Sequence, residues 1–126
     1  MYDVGLVRDI FKNILWAIRQ IEKRSKDIKS SDDFLNNDLG LEKLDSICMQ
    51  LINIGEALKK IDKISYGNLF KKYSQIEWKR AMGMRDIITH HYFDIDSEIV
   101  YSVCKKKIPE MKKEIQKILK SLNNNH

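Results

Sequence analysis

Residues 41–61, LEKLDSICMQLINIGEALKKI, decide how the chain is read. Leu44, Ile47, Cys48, Leu51, Ile54, Gly55 and Leu58 recur at intervals of three and four, the one-sided stripe of a helix rather than the alternation of a strand. The spacing predicts a long helix from about Leu41 to Ile61. Gly55 inside it costs about 1 kcal/mol relative to alanine. A glycine at such a place marks the close approach of another backbone.

The same period extends in both directions. Val7, Ile10, Phe11, Ile14, Ile18 and Ile21 predict a first helix from about Val4 to Arg24, with Arg8, Lys12, Arg19 and Lys23 in solvent. In KSSDDFLNND, residues 29–38, Ser30 or Ser31 is placed to cap a short turn carrying Phe34 and Leu35. Beyond the central helix, YGNLFKKYS, residues 66–74, reads as a connector that buries Leu69, Phe70 and Tyr73. A helix starting near Glu77 carries Trp78, Ala81, Met82, Met84, Ile87 and Ile88. Asp94 or Asp96 then caps a last helix toward Leu122, with a kink or break at Pro109, which is suited to a first turn. With one proline and five glycines in the chain, the expectation is an all-α bundle of four principal helices with one or two short ones and essentially no strand. Residues 1–122 form the expected single domain, and 123–126, NNNH, a frayed tail.

A chain of 126 residues with 43% hydrophobic and 33% charged residues can build one core without staples. It shows neither a secretory signal nor an apolar run of bilayer length, so a soluble cytoplasmic protein without membrane association is expected. Cys48 and Cys104 lack metal-ligand spacing and read as small buried hydrophobes; no metal and no cofactor are expected. Trp16, Trp78, Phe34 and Phe70 read as core and interface aromatics. The net charge of +5 suits an anionic partner. Much of it lies in CKKKIPEMKKEIQKILK, residues 104–120, where a solvated helix face explains it as well.

RDIITHHY, residues 85–92, is where the ordinary pattern stops. On a continuous helix at about 100° per residue, Trp78, Ala81, Met82, Ile88 and Tyr92 fall within roughly 60° of Arg85, which puts a guanidinium in mid-stripe. A buried guanidinium is costly unless paired, so Arg85 either snorkels to the rim, pairs with Glu56 or Asp86, or serves a site. His90 lies about 140° round from Arg85, which does not bring the two together on one ideal helix. A distorted last turn, or a cleft built from two copies of the motif, would do so. A helix end also favours protonated His90. His91 reads as surface or interface filler.

A histidine that titrates near neutrality and a fixed arginine suffice to cut RNA without a metal. Imidazole takes the proton of a ribose 2′-hydroxyl or gives one to the leaving 5′-oxygen, and guanidinium stabilises the charge developing on phosphorus.

Arg85, His90 and Tyr92 in R-x4-H-x-Y spacing resemble the motif of HEPN-domain ribonuclease toxins, the kind encoded beside a minimal nucleotidyltransferase antitoxin. The segments INIGEALKKI, Trp78, MRDIITHHYFDID and IPEMKKEIQKIL follow that family's order over nearly the whole chain. The resemblance implies an antiparallel helical bundle that forms a homodimer, with Arg85 and His90 as the catalytic pair. It implies cleavage of RNA, such as tRNA or mRNA, at a composite dimer cleft. Asp86 fits the polar position after the arginine, and Glu56 is a candidate cleft-lining partner. The antitoxin would transfer AMP from ATP to Tyr92, filling the cationic cleft with a bulky anion. The rival expectation is a non-catalytic module that binds a nucleotide or docks the nucleotidyltransferase. A third is a purely structural helical dimer.

Overall fold

The computed structural model describes residues 2–91 and 94–124, with the backbone alone for His90 and His91. Two long helices form its frame: α1 (Val4–Ser25) and α2 (Asp38–Ile64), joined through a 3₁₀ turn at Ser31–Phe34. A second 3₁₀ turn, Phe70–Lys72, leads to α3 (Trp78–Met82) and α4 (Met84–Ile88). A hairpin of β1 (Thr89–His91) and β2 (Asp94–Ile95) follows, then α5 (Ser97–Ser102), a π turn at Val103–Lys107 and α6 (Ile108–Asn124). The all-α bundle expected from the periodicity is the fold.

The helix ends follow side-chain chemistry. Asp3 accepts from Leu6 N–H at 3.0 Å and caps α1. Asn37 accepts from Gly40 N–H at 2.8 Å, so α2 starts at Asp38, three residues before the Leu41 start that the periodicity predicts. Of the two candidate caps before α5, Asp96 is the one that caps, bonding Ile99 N–H at 3.0 Å. Ser30 stands before the 3₁₀ turn without a side-chain cap bond.

The two predicted stripes meet in the core. Phe11, Ile14, Ile18 and Ile21 of α1 face Ile47, Leu51, Ile54 and Leu58 of α2, all essentially without solvent contact. Ile108, Met111, Ile115 and Ile118 of α6 close the third side. The connector enters this core as expected: Leu69 and Phe70 are buried and Tyr73 half-buried. Phe70 meets Phe11 edge-on, with centroids 6.1 Å apart, and stacks on Trp78 at 4.4 Å. Trp78 Nε1 donates to Tyr73 O at 2.7 Å, which fixes the start of α3. Trp16 is no part of the core, being 51% exposed, and Arg8, read as solvated, is half-buried with Nη1 3.4 Å from Asn123 Oδ1. Cys48 and Cys104 are buried free thiols, and burial pushes both up to about 12.

The C-terminal rod carries the irregularity that Pro109 demands. Proline has no N–H to give Lys105 O, four residues back, and its ring crowds that carbonyl. The chain answers with a wider turn in which Ile108 N–H reaches Val103 O, and Pro109 sits in the first turn of α6. The helix then continues through Asn123 and Asn124, which the sequence reading assigned to a frayed tail; 125–126 lie outside the described residues. Among the described residues, no helix is long and apolar enough to cross a membrane.

Candidate active site

The motif segment departs from the continuous helix expected for it. α3 stops at Met82, and α4 starts at Met84 after Gly83, whose N–H bonds Arg80 O at 3.0 Å. The cause lies on α2. A Cβ built at Gly55 would stand 3.0 Å from Ala81 O, 3.1 Å from Met82 O and 3.4 Å from Met84 Cβ. The end of α3 is thus pressed backbone to backbone on Gly55, the close approach that the glycine signalled.

The break resets the helical phase, which corrects the placement of Arg85. Met84 and Ile88 are the buried pair of α4, one turn apart, while Arg85 and Asp86 are both exposed. Arg85 therefore does not sit in mid-stripe, because the wheel that put it there ran through Gly83. Among the described residues neither Arg85 nor Asp86 enters an ion pair.

Glu56 follows Gly55 as Arg85 follows Met84, so the glycine contact brings the carboxylate and the guanidinium into one neighbourhood. Glu56 is exposed and accepts from Lys59 Nζ at 2.9 Å, so its ion pair is with Lys59, and of the alternatives for Arg85 a pair with Glu56 is not the one formed. The Lys59 hydrogen bond holds the Glu56 carboxyl below its ordinary range, followed by the Lys59 charge; the Arg85 guanidinium acts in the same direction and slight desolvation opposes it. Lys59 was missed in the sequence, where its position three residues after Glu56 was the available signal.

α4 also ends earlier than expected. The run Ile87-Ile88-Thr89 is β-branched, and Thr89 is already extended at φ −122° and ψ 127°. Its hydroxyl donates to Arg85 O at 2.6 Å, closing the helix end, and Asp96 N–H donates to Ile88 O at 2.8 Å. Thr89 pairs with Ile95 and His91 with Asp94, so adjacent residues on β2 face residues two apart on β1. His90 is the extra residue of a bulge. The strand answers the awkward angle on the wheel: Arg85 and His90 belong to different elements, and neither a single helix nor its distorted last turn relates them. The side chains of His90 and His91, and all of Tyr92, lie outside the described residues.

The opposite side of α4 lines an apolar groove of about 220 Å³, where Met84 and Ile87 face Ile99, Val103 and Met111. Among the described residues no group of three or more His, Cys, Asp or Glu side chains is arranged to hold a metal ion. What the arrangement offers is a fixed, solvent-facing cation at the start of a short helix and a histidine just past its end.

Known proteins give this geometry a context. The family model described as ribonuclease HepT-like matches residues 14–118. A Methanocaldococcus jannaschii protein, named as a gamma-glutamylcyclotransferase and candidate RNase, is 36% identical over 94% of this chain and 50% of its own length. The chain thus spans half of that relative. A second protein of the same organism, named as a candidate RNase, is 35% identical over 92% of this chain and 93% of its own length. A Thermococcus cleftensis protein named probable ribonuclease HepT is 31% identical over 90% and 96%. No solved structure matches the chain.

Proposed function

The chain belongs to the HepT-like ribonuclease family, and from that membership we propose that it is a metal-independent endoribonuclease toxin whose chemistry is carried by Arg85 and His90. The observation that carries the assignment is Arg85 itself: exposed on α4, outside any ion pair among the described residues, and seated by the Gly55 contact. A guanidinium in no ion pair among the described residues is available to a phosphate, and its fixed charge stabilises the phosphorane.

RNA brings its own nucleophile. His90 takes the proton of a 2′-hydroxyl as its oxygen bonds to the adjacent phosphorus, and the bond from phosphorus to the 5′-oxygen breaks. A protonated imidazole supplies the proton to that oxygen. Two such roles call for two histidines, which a homodimer with facing motifs provides. Asp86 and Glu56 would line the cleft, with the Lys59 pair restraining Glu56 from occupying Arg85. A minimal nucleotidyltransferase antitoxin would silence the site by AMP transfer. The Tyr92 phenol oxygen displaces pyrophosphate from ATP, and the anion left on Tyr92 excludes RNA.

The test is the chemistry of the ends. Single-stranded RNA incubated with the purified protein in EDTA is expected to yield 2′,3′-cyclic phosphates and 5′-hydroxyls. Cutting that needs an added divalent cation, or that leaves 5′-phosphates, contradicts the mechanism. Coexpression with the neighbouring nucleotidyltransferase should add AMP to the intact mass, and Tyr92→Phe should abolish the increment.

The apolar groove behind α4 favours a second reading, a non-catalytic docking module for the nucleotidyltransferase. That reading predicts no RNA cleavage by the pure protein.

A further inference from the structure

The end of α2 holds a tyrosine where the fold calls for glycine. Gly67 N–H donates to Asp62 O at 2.8 Å and Tyr66 N–H to Lys63 O at 3.2 Å, the paired bonds of a Schellman cap. The left-handed position of that cap is Tyr66, at φ 56°. Glycine or asparagine is the low-energy occupant there, because a Cβ crowds the neighbouring carbonyl. Nor does the ring repay the strain by packing, since Tyr66 is 73% exposed. A strained, solvent-facing aromatic is an outlier that function explains better than folding does.

Its surroundings are equally specific. Tyr66 borders an open concavity with Tyr2, Asp3, Lys60, Lys63 and Ile64. Asp3 is committed to capping α1, and Asp62 is paired with Lys79 at 2.8 Å. Among the described residues Lys60 and Lys63 enter no ion pair, and both are exposed. Glu56, Lys60 and Lys63 are spaced by four and three and so share one face of α2. At about 1.5 Å per residue, Lys60 lies roughly 6 Å and Lys63 roughly 10 Å beyond Glu56, with Tyr66 roughly 15 Å along. Gly55 packs on Met84, which sets the neighbouring Glu56 near Arg85, so this face starts in the neighbourhood of Arg85 and ends at an exposed ring.

We propose that this face of α2 is a binding track for single-stranded RNA, in which Lys60 and Lys63 hold backbone phosphates and Tyr66 stacks a base a few nucleotides from the phosphate at Arg85. It deepens the ribonuclease reading and rests on it. Single strands are gripped in this way elsewhere: cations follow the backbone, and an aromatic face accepts any base. Tyr2, half-buried across the concavity, supplies a second wall for the base.

The experiment is equilibrium binding of a fluorescent single-stranded oligoribonucleotide to the full chain carrying His90→Ala, with and without changes at the track. Tyr66→Gly should weaken binding by at least about fivefold. The same change should leave the melting temperature level or higher, since glycine suits the cap. Tyr66→Phe should bind like its parent. Lys60→Ala with Lys63→Ala should reduce the slope of log affinity against log salt by about 1.4. Equal affinity of Tyr66→Gly and its parent at every salt concentration overturns the track, as does a parent that binds no RNA. Wild-type cleavage is scored separately. Cutting with Tyr66-independent binding removes the track and leaves the ribonuclease, whereas Tyr66-dependent binding without cutting does the reverse.

Discussion

α1 and α2 run unbroken, and the chain from Trp78 to Ile108 changes conformation every few residues. The first pair is built of repeating branched aliphatics with a capping side chain at each start, so local preference and burial agree at each turn. The second region takes its shape from contacts made elsewhere: a helix break pressed on Gly55, a bulge at His90, a widened turn ahead of Pro109. Regularity there would put Arg85 against the core. Irregularity turns it to solvent, and both residues proposed for catalysis lie in this broken half.

Substitutions separate the two halves. Phe11→Ala, in the regular half, removes a fully buried ring and the partner of Phe70. It should cost about 3–5 kcal/mol of stability by chemical denaturation, while the RNA cleavage rate per folded molecule stays unchanged.

Gly55→Val strikes the seam between the halves. Its branched side chain meets two backbone carbonyls at 3.0 and 3.1 Å, atoms that have no rotamer to yield. A loss of about 1–3 kcal/mol is expected in denaturation. Because α4 must shift with α3, cleavage should fall by about tenfold to a hundredfold. A variant that loses stability and keeps full cleavage would show that the seam does not position Arg85.

The gentlest change lies wholly in the broken half. Thr89→Val keeps the β-branched shape but loses the hydroxyl bond to Arg85 O. It should cost about 0.5–1.5 kcal/mol, lowering the thermal midpoint by roughly 2–8 °C, with a lowered cleavage rate per folded molecule.

The same division explains what could be read from the sequence. The helices around Val7–Ile21 and Leu44–Leu58 were legible because a single period runs through them; α1 starts at Val4 as expected, and Asn37 only moved the start of α2 by three residues. Pro109 announced its own disturbance. Gly55 announced a close backbone but not whose, and that omission is why a continuous wheel carried Arg85 into the core. The run Ile87-Ile88-Thr89 held a strand signal that two histidines overshadowed. Glu56 was read as a candidate partner of Arg85 or a cleft-lining group, and its ion pair follows the local spacing to Lys59, a contact visible at three residues' distance. Tyr66 was passed over as part of a connector, since nothing local distinguishes an exposed left-handed tyrosine from a buried one.

The central claim is that Arg85 and His90 cut RNA as one unit. Single-turnover cleavage of a labelled single-stranded RNA in EDTA tests it, comparing wild type, Arg85→Ala, His90→Ala and the double variant, each with matching circular dichroism and oligomeric state. The account predicts losses of about a hundredfold or more in each single variant and little further loss in the double. Cleavage by Arg85→Ala or His90→Ala at the wild-type rate would contradict it.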